Sequence, residues 1–199
     1  MAGKVIHSPS NRTPVPKMKR PGALVCGDII GRFTPSKQSG CRWAAVFVSA
    51  YGNYVHTYPL KSPSDFVNAF KHVCIEYETT GHRIERFLTD TDSVMTSAAF
   101  RDAALDAKIK LMYSSPYCHW QNGLVERCIY TLKNKTICNL DQAKVDDSWW
   151  YAAFRHAADT HNASPTSANP AGATPRNIWH NFLVGDDGGN YDVPNLCDE

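Results

Sequence analysis

The stretch Ala23 to Phe33, ALVCGDIIGRF, is apolar but for one acid near its centre, Asp28. It reads as a buried strand interrupted by a carboxylate. Outward from it, Cys41 to Ala50 (CRWAAVFVSA) reads as a second strand and Tyr54 to Leu60 (YVHTYPL) as a third. Tyr51-Gly52-Asn53 supplies turn residues between them, so the pair is a hairpin.

Ser62 to Thr79 reads as a helix opened by the capping chemistry of Ser-Pro-Ser-Asp, with Phe66, Phe70, Val73 and Ile75 set roughly on one face. Ile84 to Leu88 is a short strand that ends at Thr89-Asp90, and a helix near Thr96 to Ala107 leads to a strand at Ile109 to Tyr113. The loop Ser114 to Gln121 enters a long helix from about Asn122 to Leu140. A further helix, about Asp147 to His161, closes the compact part, and Pro/Asn/Gly-rich sequence follows. Three strands, a helix, a strand, a helix, a strand and closing helices is the RNase H-like order. The fold class expected is therefore α/β: a five-stranded mixed sheet, its first three strands antiparallel, flanked by helices.

The length, 199 residues, suits one domain with tails, and 43% apolar residues argues for a real core. No window reaches the roughly 18 apolar residues of a membrane span, and no apolar signal core opens the chain. The expectation is an intracellular protein, nuclear if eukaryotic. The net charge of +2 hides an asymmetry. Lys4, Arg12, Lys17, Lys19 and Arg20 stand in an acid-free start, and Asp186, Asp187, Asp192, Asp198 and Glu199 in a base-free end. Residues 1–185 carry 21 bases against 14 acids, a mild pull toward polyanions. Cys26, Cys41, Cys74, Cys118, Cys128, Cys138 and Cys197 form no CxxC pair, which points to reduced structural thiols rather than a zinc ribbon or disulfide framework. The divisions expected are a basic flexible lead-in (1–21), the core (22–165) and a C-terminal extension with an acidic tail (166–199).

A carboxylate in an apolar strand is costly to bury unless its charge is compensated. Asp28 is such a residue. Asp90 ends a strand that neighbours the first in the expected sheet, and Glu126 lies one turn into the long helix. Taken singly, each has an ordinary alternative: Asp28 capping a turn, Asp90 opening a loop, Glu126 on a wet helix face. Taken together, the three are expected to converge on a common point. Such a set suits Mg²⁺ or Mn²⁺, which prefer hard oxygen ligands. Two ions about 4 Å apart serve phosphodiester exchange without a covalent enzyme intermediate.

At these residues the sequence resembles the retroviral-type integrase catalytic core (rve), and most closely that of copia-type retrotransposon polyproteins. The spacing from Asp90 to Glu126, with 35 residues between them, is that of the family, and SSPYCHWQNGLVER at 114–127 is similar to its S-x-P-Y-x-x-x-x-N-G-x-x-E-R signature. Asn162, Thr174-Pro175 and Trp179 sit like the copia group's N…TP…W pattern, so the likeness spans about residues 22–182. The resemblance implies a polynucleotidyl transferase, an endonuclease that cuts and joins DNA, with Asp28, Asp90 and Glu126 catalytic and holding two metal ions. It implies DNA as the partner, oligomers in the full integrase, and neither a membrane nor a small-molecule cofactor.

On the signature, Pro116 and Gly123 shape a loop and its entry to the helix. Asn122 is a good N-cap as well as a candidate DNA contact. Arg127 is placed to pair with an acid or touch phosphate, and Lys133, seven residues beyond Glu126, shares its helix face. Tyr117 and Trp120 are candidates to stack on an unpaired base or to pack against the loop.

Three departures from the family stand out. Asp90 is followed by Thr91-Asp92-Ser93 where the family has Asn-Gly, which also makes Asp92 a rival ligand. The His-His-Cys-Cys zinc module and the basic C-terminal domain are not found in these residues, as expected of a core excised from a polyprotein or a genomic remnant of one. Two readings stay open: an active integrase core, or a decayed or domesticated one that binds DNA or a partner without catalysis.

Overall fold

The computed structural model describes residues 18–114 and 123–181. Five strands, β1 (Val25–Gly31), β2 (Trp43–Ser49), β3 (Val55–Leu60), β4 (Arg86–Thr89) and β5 (Lys110–Tyr113), form one sheet in the order β3-β2-β1-β4-β5. The first three pair antiparallel, whereas β4 runs parallel to β1 and β5 parallel to β4. Five helices accompany them: α1 (Phe66–Thr79), α2 (Ala98–Asp106), α3 (Gly123–Ala143), α4 (Trp150–Ala163) and α5 (Pro175–Asn181). The expected RNase H-like, five-stranded mixed sheet with flanking helices is what forms.

Alternation along the strands sorts side chains onto two apolar faces. Leu24, Cys26 and Ile30 of the first strand region join Ala44, Val46 and Val48 of β2 on one face. There α3 lays down Val125, Cys128, Ile129 and Leu132, and α4 adds Trp150, Tyr151 and Phe154. Val25, Ala45, Phe47 and Phe87 point to the other face, against Phe66, Phe70 and Val73 of α1 and Phe100 of α2. With both faces covered, the central strands must be largely apolar, which is why β2, and β1 but for Asp28, read as apolar runs.

The capping chemistry at Ser62 is present: the Ser62 N–H donates to Asp65 Oδ2 at 2.9 Å. The first turn, Pro63–Asp65, is nevertheless a 3₁₀ turn, and the α-helix begins at Phe66. Ile75 departs from its expected face and is 54% exposed. Nine residues at 100° each set it diametrically opposite Phe66, so Cys74 and Tyr77 take the inward places.

The packed body extends past both expected boundaries. Met18 packs against the α3/α4 face, and Arg20 pairs with Glu85. At the other end Thr174 Oγ1 accepts from the Asn177 N–H at 3.0 Å, Pro175 opens α5, and Trp179 is buried among the α1-side residues. Among the described cysteines, Cys26, Cys41, Cys74 and Cys128 are buried and free, and Cys138 is exposed.

Gly27 decides how closely β4 lies against β1. A Cβ there would stand 2.2 Å from Phe87 Cζ, so the ring occupies the space a side chain would need. Gly27→Ala is expected to cost about 1–3 kcal/mol by overpacking. Urea unfolding of Gly27→Ala alone and with Phe87→Leu checks this: the second change should recover part of the loss, and an additive result would remove Phe87 as the cause.

Candidate metal and nucleic-acid site

Asp28 lies mid-strand in β1, on the face shared by Cys26 and Ile30, and is only half-buried where those two are buried. Its Oδ1 accepts the Ile29 N–H at 2.7 Å. Asp90 follows the last residue of β4. The parallel register pairs Val25 with Phe87 and Cys26 with Leu88. Continued two residues further, it sets Asp28 opposite Asp90 on the same sheet face, one inter-strand spacing of about 4.8 Å apart.

Glu126 is exposed in the first turn of α3, beside Val125, which is buried against the Cys26/Leu88 face. The helix that carries it thus packs on the face that carries the two aspartates. The electrostatics agree. Burial pushes the Asp28 carboxyl up to about 6, the Ile29 N–H opposes that, and the charges of Asp90, Asp92 and Glu126 each push it further up. Asp90 is also raised, first by burial and then by the charge of Asp92, against the hydrogen bond from the Asp92 N–H. That bond, 3.2 Å to Asp90 Oδ1, folds Thr91-Asp92 back over the strand end.

The three carboxylates are expected to converge on a common point, with some splay where no metal is bound. Among the described residues no three His, Cys, Asp or Glu side chains come close enough to hold one ion. The reason lies in the same charges: like carboxylates without a cation repel, and Asp90 is engaged by the turn that follows it. The donor chemistry is all carboxylate oxygen, which fits Mg²⁺ or Mn²⁺.

Of the candidate DNA contacts, Arg127 and Lys133 are exposed on α3. Lys133 also lines a cavity of about 280 Å³ with Phe33, Ile137, Leu140 and Trp150. Tyr117 and Asn122, with Trp120, lie outside the described residues. Asn162 and Trp179, taken from the family's pattern, prove to be inside the packing. Asn162 bonds the backbone of Val55, and Trp179 stacks on Tyr54 at 4.8 Å and meets Tyr77 edge-on at 4.6 Å. The electrostatic reach of Asp92 to Asp28 is the one site feature that spacing alone undervalued; its signal was an acid two residues past a ligand.

The class follows from this arrangement: an RNase H-like α/β domain with the sheet order and helix placement of retroviral integrase catalytic cores. Among solved structures the chain superposes on a simian T-cell lymphotropic virus intasome, bound to the PP2A regulatory subunit B56 gamma and solved by cryo-EM. The TM-score is 0.68 at 20% identity, covering 94% of this chain and 65% of that one. It also superposes on the HTLV-2 integrase catalytic core domain, in complex with magnesium in its dimeric form, at a TM-score of 0.59 and 21% identity, covering 81% of this chain and 98% of that one.

In sequence it is 27% identical over 136 residues, 67% of its length, to the retrovirus-related Pol polyprotein from transposon TNT 1-94 of Nicotiana tabacum. It spans 10% of that polyprotein's length. No family model matches the chain. The resemblance to an integrase core read from residues 90–127 is thus met again in the fold and in a retrotransposon relative. Among the described residues no helix is long and apolar enough to cross a membrane.

Proposed function

We propose that this chain is the catalytic core of a copia-type retrotransposon integrase, a polynucleotidyl transferase that cuts and joins DNA phosphodiesters. The observation that supports the reading is the placement of Asp28, Asp90 and Glu126. Asp28 is in β1, Asp90 directly follows the parallel neighbour β4, and Glu126 is on the helix packed over the Asp28 face. Asp28, Asp90 and Glu126 are the residues that would hold two divalent ions, Mg²⁺ or Mn²⁺. When bound, such ions polarise the phosphodiester and lower the pKa of an attacking oxygen.

The chain's own part is to hold three carboxylates on a rigid frame. The half-buried Asp28 is fixed by the Ile29 N–H, and Asp90 by the Asp92 N–H. The exposed first turn of α3 offers Arg127 and, two turns on, Lys133 to phosphate. DNA is the partner this arrangement suits, in the nucleus of a eukaryotic cell, and the intasome and dimeric core among the structural neighbours support an oligomeric working form.

A second reading is a core that binds DNA without cutting it. It is favoured by Thr91-Asp92-Ser93 after Asp90, where the family has Asn-Gly. One experiment separates the two: nicking and strand-rejoining of a branched DNA substrate by the purified chain with Mg²⁺ or Mn²⁺. Activity lost on Glu126→Gln supports the first reading; salt-sensitive binding without any divalent-dependent cutting supports the second.

The two aspartates of the β4 loop should rank clearly. Asp90→Asn is expected to abolish cutting, whereas Asp92→Asn should weaken it a few-fold at most. The Asp92 backbone, not its side chain, is what steadies Asp90, and that bond survives the Asn substitution. The reverse ranking in the same assay would move the ligand to Asp92.

A further inference from the structure

The sheet has two free edges, and the structure treats them differently. On β3 the Ser49 N–H donates to the Tyr54 carbonyl at 2.9 Å and the Arg42 N–H to the Leu60 carbonyl at 3.1 Å. Even-numbered residues of β3 therefore turn their peptide groups toward β2. Val55, Thr57 and Pro59 turn theirs outward, where another strand would add.

Each of these outward positions is met by a specific device. Asn162 of α4, 3% exposed, donates from Nδ2 to the Val55 carbonyl at 2.8 Å and accepts the Val55 N–H on Oδ1 at 2.9 Å. One side-chain amide thereby makes the same pair of bonds that a residue of a neighbouring strand would make. Tyr151, also on α4, donates its hydroxyl to the Thr57 carbonyl at 3.2 Å. Pro59 has no N–H to offer. Just ahead of the strand, His161 Nε2 lies 3.2 Å from the Asn53 carbonyl and Asn169 Nδ2 donates to the Gly52 carbonyl at 3.1 Å. Among the described residues, the Thr57 N–H is the one outward N–H of the strand without such a partner. The opposite edge, β5, has only four residues, and shortness is its protection.

We propose that α4 is an edge guard: Asn162 and Tyr151, with Pro59, deny β3 to the strand of a second copy of this chain. Asn162 then acts by what it excludes, in addition to what it bonds. Strand addition at β3 would place two sheets edge to edge, an association that an uncovered six-residue edge strand otherwise invites. The assembly of the working protein must use other surfaces. The inference does not depend on catalysis, so its failure and that of the proposed activity are distinguishable.

The test compares Asn162→Ala, Pro59→Val and the double variant with wild type and with Leu132→Ala, a core-cavity control that leaves the edge intact. Sedimentation velocity across a hundredfold range of concentration, well below each melting temperature, reads association. Hydrogen exchange reads the Val55 amide. The expected result is at least a tenfold gain in association constant over wild type for Asn162→Ala, larger again in the double variant. Val55 exchange should be at least a hundredfold faster at low concentration and slow again in the associated form. Leu132→Ala should lose thermal stability without associating.

Pro59 is exposed, so Pro59→Val keeps the fold and carries the test if Asn162→Ala does not fold; it should associate more than wild type on its own. Edge variants that associate no more than Leu132→Ala, or that associate while Val55 exchange stays fast, would overturn the proposal.

Discussion

Asp28→Asn is expected to raise the stability of the metal-free protein while reducing divalent-dependent DNA cutting by more than a hundredfold. Burial first, and then the charges of Asp90, Asp92 and Glu126, push the Asp28 carboxyl from 3.8 to about 6. That difference sets roughly 2–3 kcal/mol against the ionised form at neutral pH, after allowance for partial solvent screening. Asparagine keeps the shape and the side-chain oxygen for the Ile29 N–H but carries no charge, so the cost disappears.

The pH dependence fixes the sign. A carboxyl raised in the folded state contributes stability that is full below its ordinary value near 3.8 and is lost as pH rises through about 6. Wild type and Asp28→Asn should therefore melt together at low pH and diverge between pH 4 and 7. The variant should melt several degrees higher at pH 7.5, since 1 kcal/mol moves the midpoint about 2–4 °C in a domain of this size. Mn²⁺ should raise the wild-type midpoint at pH 7.5 and leave the variant unmoved. Thermal melts at pH 4.5 and 7.5, with and without Mn²⁺, provide the check. A variant that melts like wild type at both, or that still cuts DNA, would separate Asp28 from the site.

Trp179→Ala should be among the most damaging single changes outside the site, at about 3–5 kcal/mol, or about 6–20 °C in melting temperature. The indole is 3% exposed, stacked on Tyr54 and edge-on to Tyr77, His82 and His56 at 4.6–5.1 Å. Its carbonyl accepts from His82 Nε2 at 3.0 Å. Removing the ring empties a box whose four walls come from the residue ahead of β3, β3 itself, α1 and the turn after α1, so little can collapse to fill it. Trp179→Phe should lose markedly less. Guanidinium unfolding of the two variants decides; a loss under 1 kcal/mol for alanine would mean that α5 merely rests on the surface.

These residues also show what sequence reveals and what it conceals. Asp28 was legible because an acid in an apolar run is a local contradiction, and Asp90 because a strand ended on it. Their adjacency followed from element order, since the parallel β1–β4 pairing is the RNase H-like arrangement itself. The degree of closure was not legible: it depends on mutual repulsion and on the turn at Asp92, neither of which spacing reports. Ile75 was misplaced because four residues in a helical window tolerate one that is out of phase.

The bonding role of Asn162, and α5, were concealed for another reason. The partner of Asn162 is 107 residues away, and α5 is a seven-residue helix in Pro/Asn-rich sequence. Only Thr174-Pro175, a cap followed by a proline at the first helical position, announced it.

The distance between Val55 and Asn162 has a meaning in time as well as in space. A ribosome adding about 5–20 residues per second needs on the order of 5–20 s to travel those 107 positions. For that interval the β2–β3 hairpin exists as nascent chain while its guard has not been made. Polysomes bring many such hairpins close together. The hazard that α4 removes from the finished protein is thus greatest during translation, and a holdase chaperone acting on the emerging hairpin, or slower initiation that spaces the ribosomes, would protect this chain most in that window.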